Sequence, residues 1–255
     1  MPTDDKVDRE SVFFKNLPAS FEVSDNAAER RLLYEYGSVF VARGGVTAPD
    51  RVAFEDEASV AEFQSRLEIK RAEIGGFDLE LQTVAMDALL QATKVAESDG
   101  LSITPRGEDS ARRNYNDTIE LWLSRVEPAL THWVEQERIS WHKADAIRKL
   151  SPLDQVPEIF ALEEEGIYFA KDLSKSIIYS VAPPGASQHL SLLAFDVAEF
   201  DNPRVRQILA DYYWYQTVVS DLPHFTFLGV EVSELPGLGL RQIISNEREF
   251  WIPSI

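Results

Sequence analysis

The feature that most limits how this chain can fold lies between Ser187 and Asp196. There a histidine and an aspartate sit in an apolar run, Ser-Gln-His-Leu-Ser-Leu-Leu-Ala-Phe-Asp. A second polar pair follows in Asp221-Leu-Pro-His224-Phe, so two of the chain's four histidines fall inside strand-like sequence close together. Buried imidazole and carboxylate groups are costly unless something pairs with them, and a divalent metal pairs with both. The chain has no cysteine, which excludes disulfide scaffolds, thiolate catalysis and Cys-ligated metals. A metal here must use His, Asp or Glu, and the stretch reads as a zinc site.

With 255 residues the chain can bury a large core, and 44% hydrophobic with 27% charged residues is ordinary for a soluble globular protein. The net charge of −18 argues against unaided binding to nucleic acid or to an anionic membrane surface. No apolar run approaches the roughly 18–20 residues that span a bilayer, so no transmembrane segment is expected. The opening Met-Pro-Thr-Asp-Asp-Lys has neither a basic nor an apolar region of a signal peptide. Asp4-Asp5 lacks the alternating spacing of a calcium loop.

Along the chain, Ala27–Tyr36 reads as a short helix, Ser38–Ala42 as a strand stopped by Gly44-Gly45, and Arg51–Phe54 as a second strand. Glu57–Ile69 has helical spacing through Val60, Phe63 and Leu67. Gly75-Gly76 is the clearest internal break. It divides an N-terminal α/β extension (1–75), not an independent domain, from a domain (76–255) that carries the candidate zinc site. Leu81–Glu97 predicts an amphipathic helix and Leu101–Thr104 a compact strand. A loop with Arg106, Arg112 and Arg113 follows, in which Asp109 or Ser110 can cap the next helix. That helix carries Ile119, Trp122, Val126, Leu130 and Trp133 at three- and four-residue spacing, and Pro128 is expected to end or kink it. Residues 140–166 read as helical and acidic, closing on a solvated Glu163–Glu165 run. Ile177–Val181, Leu192–Val197, Thr217–Val219, His224–Val230, Arg241–Ile244 and Phe250–Ile252 read as strands, and Pro203–Tyr215 as a helix with Pro in its first turn. Helices in the middle and strands grouped late predict an α+β fold with a central antiparallel sheet flanked by helices. The five tryptophans are expected in the core, and His132 and His142 as surface or packing residues.

A catalytic zinc takes three protein ligands and leaves one position open. The candidates divide accordingly: His189, Asp196 and His224 as ligands, and Asp221, three residues before His224, as the carboxylate that moves the proton. An arginine is needed for a substrate carboxylate or a developing oxyanion, and the 106–113 loop supplies Arg113 or Arg106. Ser187 and Gln188 are candidate substrate contacts.

Ser187-x-His189-x-x-Leu192-x-Ala194-x-Asp196 resembles the Ser-x-His-x-x-Gly-x-Ala-x-Asp motif of the D-alanyl-D-alanine carboxypeptidase and dipeptidase family of zinc peptidases, the group that includes the vancomycin-resistance carboxypeptidases. Asp221-Leu-Pro-His224-Phe resembles that family's Glu-Pro-Trp-His-Phe segment, and Arg113-Asn114-Tyr115 its Gly-Tyr-Arg-Ser-Tyr segment. The similarity runs in order over roughly residues 80 to 230. It implies one zinc, hydrolysis of D-alanyl bonds in peptidoglycan peptides, and a bacterial cell-envelope location. Three departures accompany it. Leu192 stands where the motif has Gly, Asp221 stands where it has Glu, and the interval from Asp196 to His224 is short. The last two leave room for an alternative, a weak or inactive zinc-stabilised module that binds peptidoglycan or a protein partner.

Overall fold

Why residues 69–82 form a hairpin is visible in its turn. Gly75 and Gly76 both have positive φ, 61° and 85°, as a two-residue turn between twisted antiparallel strands requires. The computed structural model, which describes residues 10–21 and 26–255, thus makes the expected break a hairpin tip. In chain order the elements are α1 (Val12–Asn16), α2 (Ala27–Tyr36), α3 (Glu57–Ser65), β1 (Ile69–Ile74), β2 (Phe77–Gln82), α4 (Thr83–Ser98), α5 (Tyr115–Glu135) and α6 (Trp141–Arg148). They continue with α7 (Pro152–Glu164), β3 (Ala194–Asp196), α8 (Pro203–Asp211), β4 (Trp214–Tyr215), β5 (His224–Phe227), β6 (Leu240–Ser245) and β7 (Arg248–Pro253). Asp4-Asp5 lies outside the described residues.

The fold is α+β, and every strand pairing is antiparallel. Instead of one central sheet there are three small ones among the described residues: β1-β2, β3-β5-β4 and β6-β7. The chain divides into two compact units. One comprises Met1–Val52, Phe63–Arg112 and Gln188–Ile255, and the other Ala53–Glu62 and Arg113–Ser187. No described helix is long and apolar enough to cross a membrane.

The first unit holds all three sheets. Its β3-β5-β4 sheet is built from short, fully buried strands, so both faces are covered and the sequence is apolar nearly throughout. Ser38–Ala42 is not a strand: Gly37–Val41 forms a buried 3-10 turn, and Ser38 Oγ donates to the Trp251 carbonyl at 2.8 Å. A short apolar run fits either conformation, because period alone cannot separate them. Arg51–Phe54 and Thr217–Val219 likewise form no strand. Leu101–Thr104 makes no ladder either. Thr104 binds the Glu199 carboxylate through its N–H and its hydroxyl, at 2.8 and 2.7 Å, and only Pro105 bridges, to Val197. The helix expected to reach Tyr215 stops at Asp211. Tyr213 turns the chain with φ 68°, freeing Trp214–Tyr215 to pair with β5.

The second unit is helical. Asn114, not Asp109 or Ser110, caps α5: its side chain accepts from Asp117 N–H at 3.0 Å while the Asp117 carboxylate accepts from Asn114 N–H at 2.7 Å, a reciprocal capping box. The helix runs through Pro128 to Glu135. Its stripe of Trp122, Val126, Ala129 and Leu130 is fully buried, and such burial outweighs one missing backbone bond. Trp122 Nε1 donates to Gln155 Oε1 at 3.0 Å. Not every tryptophan is core: Trp141 is 60% exposed, beside His142. Glu163 is not solvated as expected but 3% exposed. Its carboxylate accepts from Ser176 Oγ and from the Ile177 N–H at 2.6 Å, and this turns Ile177–Tyr179 into a 3-10 turn instead of a strand. Glu163→Ala strands the Ile177 N–H, and the expected loss is on the order of 2 kcal/mol. A lower urea midpoint at unchanged slope checks it.

Candidate metal centre

Register sets the site. In the β3–β5 pairing Asp196 lies opposite His224, so their side chains leave the same face of the sheet. His189 arrives from the 3-10 turn Gln188–Ser191 just ahead of β3. That turn is closed by Ser191 Oγ donating to the Gln188 carbonyl at 2.6 Å. Leu192 then redirects the chain with φ 59°, the left-handed conformation that glycine adopts most easily. The backbone therefore takes a glycine-like path at the position where the resembling motif has Gly. Buried packing of the Leu192 side chain, 0% exposed, offsets the strain.

His189, Asp196 and His224 are buried, 2%, 8% and 4% exposed. His189 Nε2 lies 3.3 Å from Asp196 Oδ1, and His224 Nδ1 lies 3.1 Å from the same oxygen. The rings meet edge to face, with centroids 5.0 Å apart.

The other nitrogen of each ring fixes its tautomer. His189 Nδ1 is 2.8 Å from the Ala111 carbonyl, which can only accept, so Nδ1 carries the proton. His224 Nε2 is 2.9 Å from Gln188 Oε1. The Gln188 amide cannot be reversed, because its Nε2 donates to the Tyr36 carbonyl at 2.9 Å; hence His224 Nε2 is also a donor. A ring of bonds reinforces this: Gln188 Nε2 to Thr217 Oγ1, Thr217 to Thr226 at 2.6 Å, and Thr226 Oγ1 back to Gln188 Oε1. Each ring thus turns its other nitrogen toward the same carboxylate oxygen. Such supporting bonds orient ligating histidines.

Burial by itself pushes the Asp196 carboxyl up, but the charges and hydrogen bonds of His189 and His224 overcome it and hold the group well below the usual carboxylate range. Each histidine nitrogen lies within 3.3 Å of the Asp196 oxygen, and the three candidate ligand atoms all fall within 4.8 Å of one another. Tetrahedral bonds of about 2.0–2.2 Å set ligand atoms roughly 3.3–3.6 Å apart, close to the two nitrogen–oxygen separations. His189, Asp196 and His224 form a buried group that could hold a metal ion.

The other expected residues stand differently. Asp221 is exposed, in the turn before β5, where its carbonyl accepts from the His224 N–H at 3.1 Å; its carboxylate is not in the cluster. Arg106 has an exposed side chain, and its N–H donates to the Asp196 carbonyl at 3.2 Å, which straps the arginine loop to a ligand's backbone. Arg112 is engaged with Glu80 and Gln64. Arg113 and Ser187 begin and end the long segment of the second unit. Gln188, expected to meet substrate, is buried at 3% exposure and its amide is committed to Tyr36, Thr226 and His224. The residues that hold the tautomers were missed from sequence. Only Thr226 left a sign there, two residues beyond His224 and so on the same strand face. Compared with known proteins, the chain matches no family model, no curated protein and no solved structure.

Gln188→Leu removes the acceptor that fixes His224 while leaving the ligands in place. Zinc affinity, read by competition with a chromophoric chelator, is expected to fall roughly 10–100-fold. Nitrogen NMR shifts of His224 Nε2 should move in the variant, because its proton loses the Gln188 acceptor.

Proposed function

We propose that this protein is a zinc-dependent hydrolase that cuts D-alanyl bonds in peptidoglycan peptides, in the manner of the D-alanyl-D-alanine carboxypeptidases its motifs resemble. The carrying observation is the convergence of two buried, oriented imidazoles on the Asp196 carboxylate. Two nitrogens and one oxygen are the donor set of a catalytic zinc that keeps a position open. When bound there, zinc supplies a Lewis acid that polarises a carbonyl and acidifies water.

The chain's own groups do the rest. Asp221 takes the proton from the attacking water and passes it to the leaving amine. Its exposure suits that role, because a proton carrier must reach solvent and substrate. Its side chain is one methylene shorter than the motif's Glu, and a misplacement near 1 Å costs on the order of 100-fold in rate. Arg106, whose backbone is bonded to that of Asp196, or Arg113 holds the terminal carboxylate or the developing oxyanion. Ser187, next to the ligand turn in sequence, contributes a hydroxyl to substrate. A peptidoglycan substrate places the protein in the bacterial cell envelope.

A second reading is favoured by the burial of the three ligands: a zinc that joins β3 to β5 without turning over substrate, in a module that binds peptidoglycan or a protein. Incubating the protein with muropeptides ending in D-Ala-D-Ala separates the two. The hydrolase releases alanine, seen by mass spectrometry, and a chelator stops it. Asp221→Ala is expected to keep zinc bound while the rate drops 100-fold or more. An unchanged rate refutes the assigned base. Loss of folding on chelation, with no cleavage by the zinc-loaded protein, establishes the binding module.

A further inference from the structure

The face of the β3-β5-β4 sheet away from the metal group borders a second feature. Strand alternation sends Phe225 opposite to His224 and Thr226, and Trp214 pairs with Phe227 on that same side. Beyond them, between α8, β4 and the β6–β7 hairpin, lies a cleft of about 200 Å³ lined by Arg206, Arg248, Trp214 and Trp251. That volume equals roughly seven waters.

Its polar groups are out of balance. Trp214 is 0% exposed and its Nε1 finds no acceptor; Arg248 Nη1 is also buried and finds none. A buried donor left unmatched costs about 1–3 kcal/mol, and most such groups in proteins are matched. Arg248 uses Nη2 on the Asp201 carboxylate and stands 5.4 Å over the Phe200 ring. Arg206 Nη1 donates to the Phe200 and Asp201 carbonyls at 3.0 and 2.9 Å. Burial and then the charge of Arg248 lower the Arg206 pKa, with Asp201 opposing. Arg248 alone pairs with the Asp201 carboxylate, whose side chain is 72% exposed and screened by water, while Arg206 reaches Asp201 only at its backbone carbonyl.

We propose that this cleft binds a small monocarboxylate carried on a flat apolar body. The carboxylate answers the Arg206–Arg248 pair, where charge-assisted bonds are strongest. The indole of Trp251 takes the flat body. Glu247 and Glu249, exposed in the same lining, disfavour ligands of higher charge such as phosphate esters. The proposal is independent of the metal reading.

Its test uses the full chain loaded with zinc, and the arginine variants separate binding in this cleft from a carboxylate held at the metal group. Benzoate and inorganic phosphate are titrated separately and followed by tryptophan fluorescence and calorimetry. Benzoate is expected to bind saturably, one per chain, with a dissociation constant of about 1 mM or below, and more tightly than phosphate. Arg206→Gln and Arg248→Gln should each weaken it tenfold or more, whereas Arg241→Gln, at an exposed arginine bonded to the Tyr34 hydroxyl, should not. If Arg248→Gln fails to fold, Arg248→Lys keeps the charge without the fork and should still bind measurably more weakly. Absence of saturable benzoate binding, tighter binding of phosphate, or binding indifferent to Arg206→Gln overturns the proposal.

Discussion

Everything at the centre of this protein depends on one electrostatic confrontation. The Asp196 oxygen is faced at 3.3 and 3.1 Å by His189 Nε2 and His224 Nδ1. In a buried, low-dielectric setting a carboxylate keeps its charge only where positive charge answers it, from ring protons or from a cation in their place. The surrounding structure is built to keep the three groups together. The Ala111 carbonyl holds one ring, Gln188 holds the other, and Gln188 is itself held by Tyr36, Thr217 and Thr226. The same three groups could therefore hold a metal ion.

The backbone is shaped to the same end. Leu192 in the left-handed region costs about 1–2 kcal/mol relative to glycine, while a fully buried leucine side chain contributes about 1.5–3 kcal/mol. The second figure is the larger, so the turn that delivers His189 survives with leucine where the resembling motif has glycine. On the far side of the β3-β5-β4 sheet the problem is reversed: the Arg206–Arg248 pair and the Trp214 N–H present donors in excess of acceptors. One short sheet thus separates the His189–Asp196–His224 group from a cleft with unmatched hydrogen-bond donors.

How much of this was legible in the sequence follows from how local each signal is. His189, Asp196 and His224 were readable because polar side chains inside apolar runs have few explanations. The α+β class and α2, α4 and α5 followed from period. The β1–β2 hairpin was hidden because its strands, Ile-Lys-Arg-Ala-Glu-Ile and Phe-Asp-Leu-Glu-Leu-Gln, carry charges on a solvent face, although Gly-Gly between them marked the turn. Gly37–Val41 and Ile177–Tyr179 look like strands, and they become 3-10 turns because of partners far along the chain, Trp251 in one case and Glu163 in the other. Gln188 shows the same limit within the site. Beside a ligand it read as a substrate contact, and only residues 36, 217 and 226 reveal that its amide faces inward.

The most direct test of the central claim is a crystal structure of zinc-soaked protein with anomalous data collected at the zinc edge. A single zinc is expected, bonded at about 2.0–2.2 Å to His189 Nε2, Asp196 Oδ1 and His224 Nδ1. No peak among these three side chains, or zinc found only at the exposed His142 with the three ligands unmoved, would contradict the account.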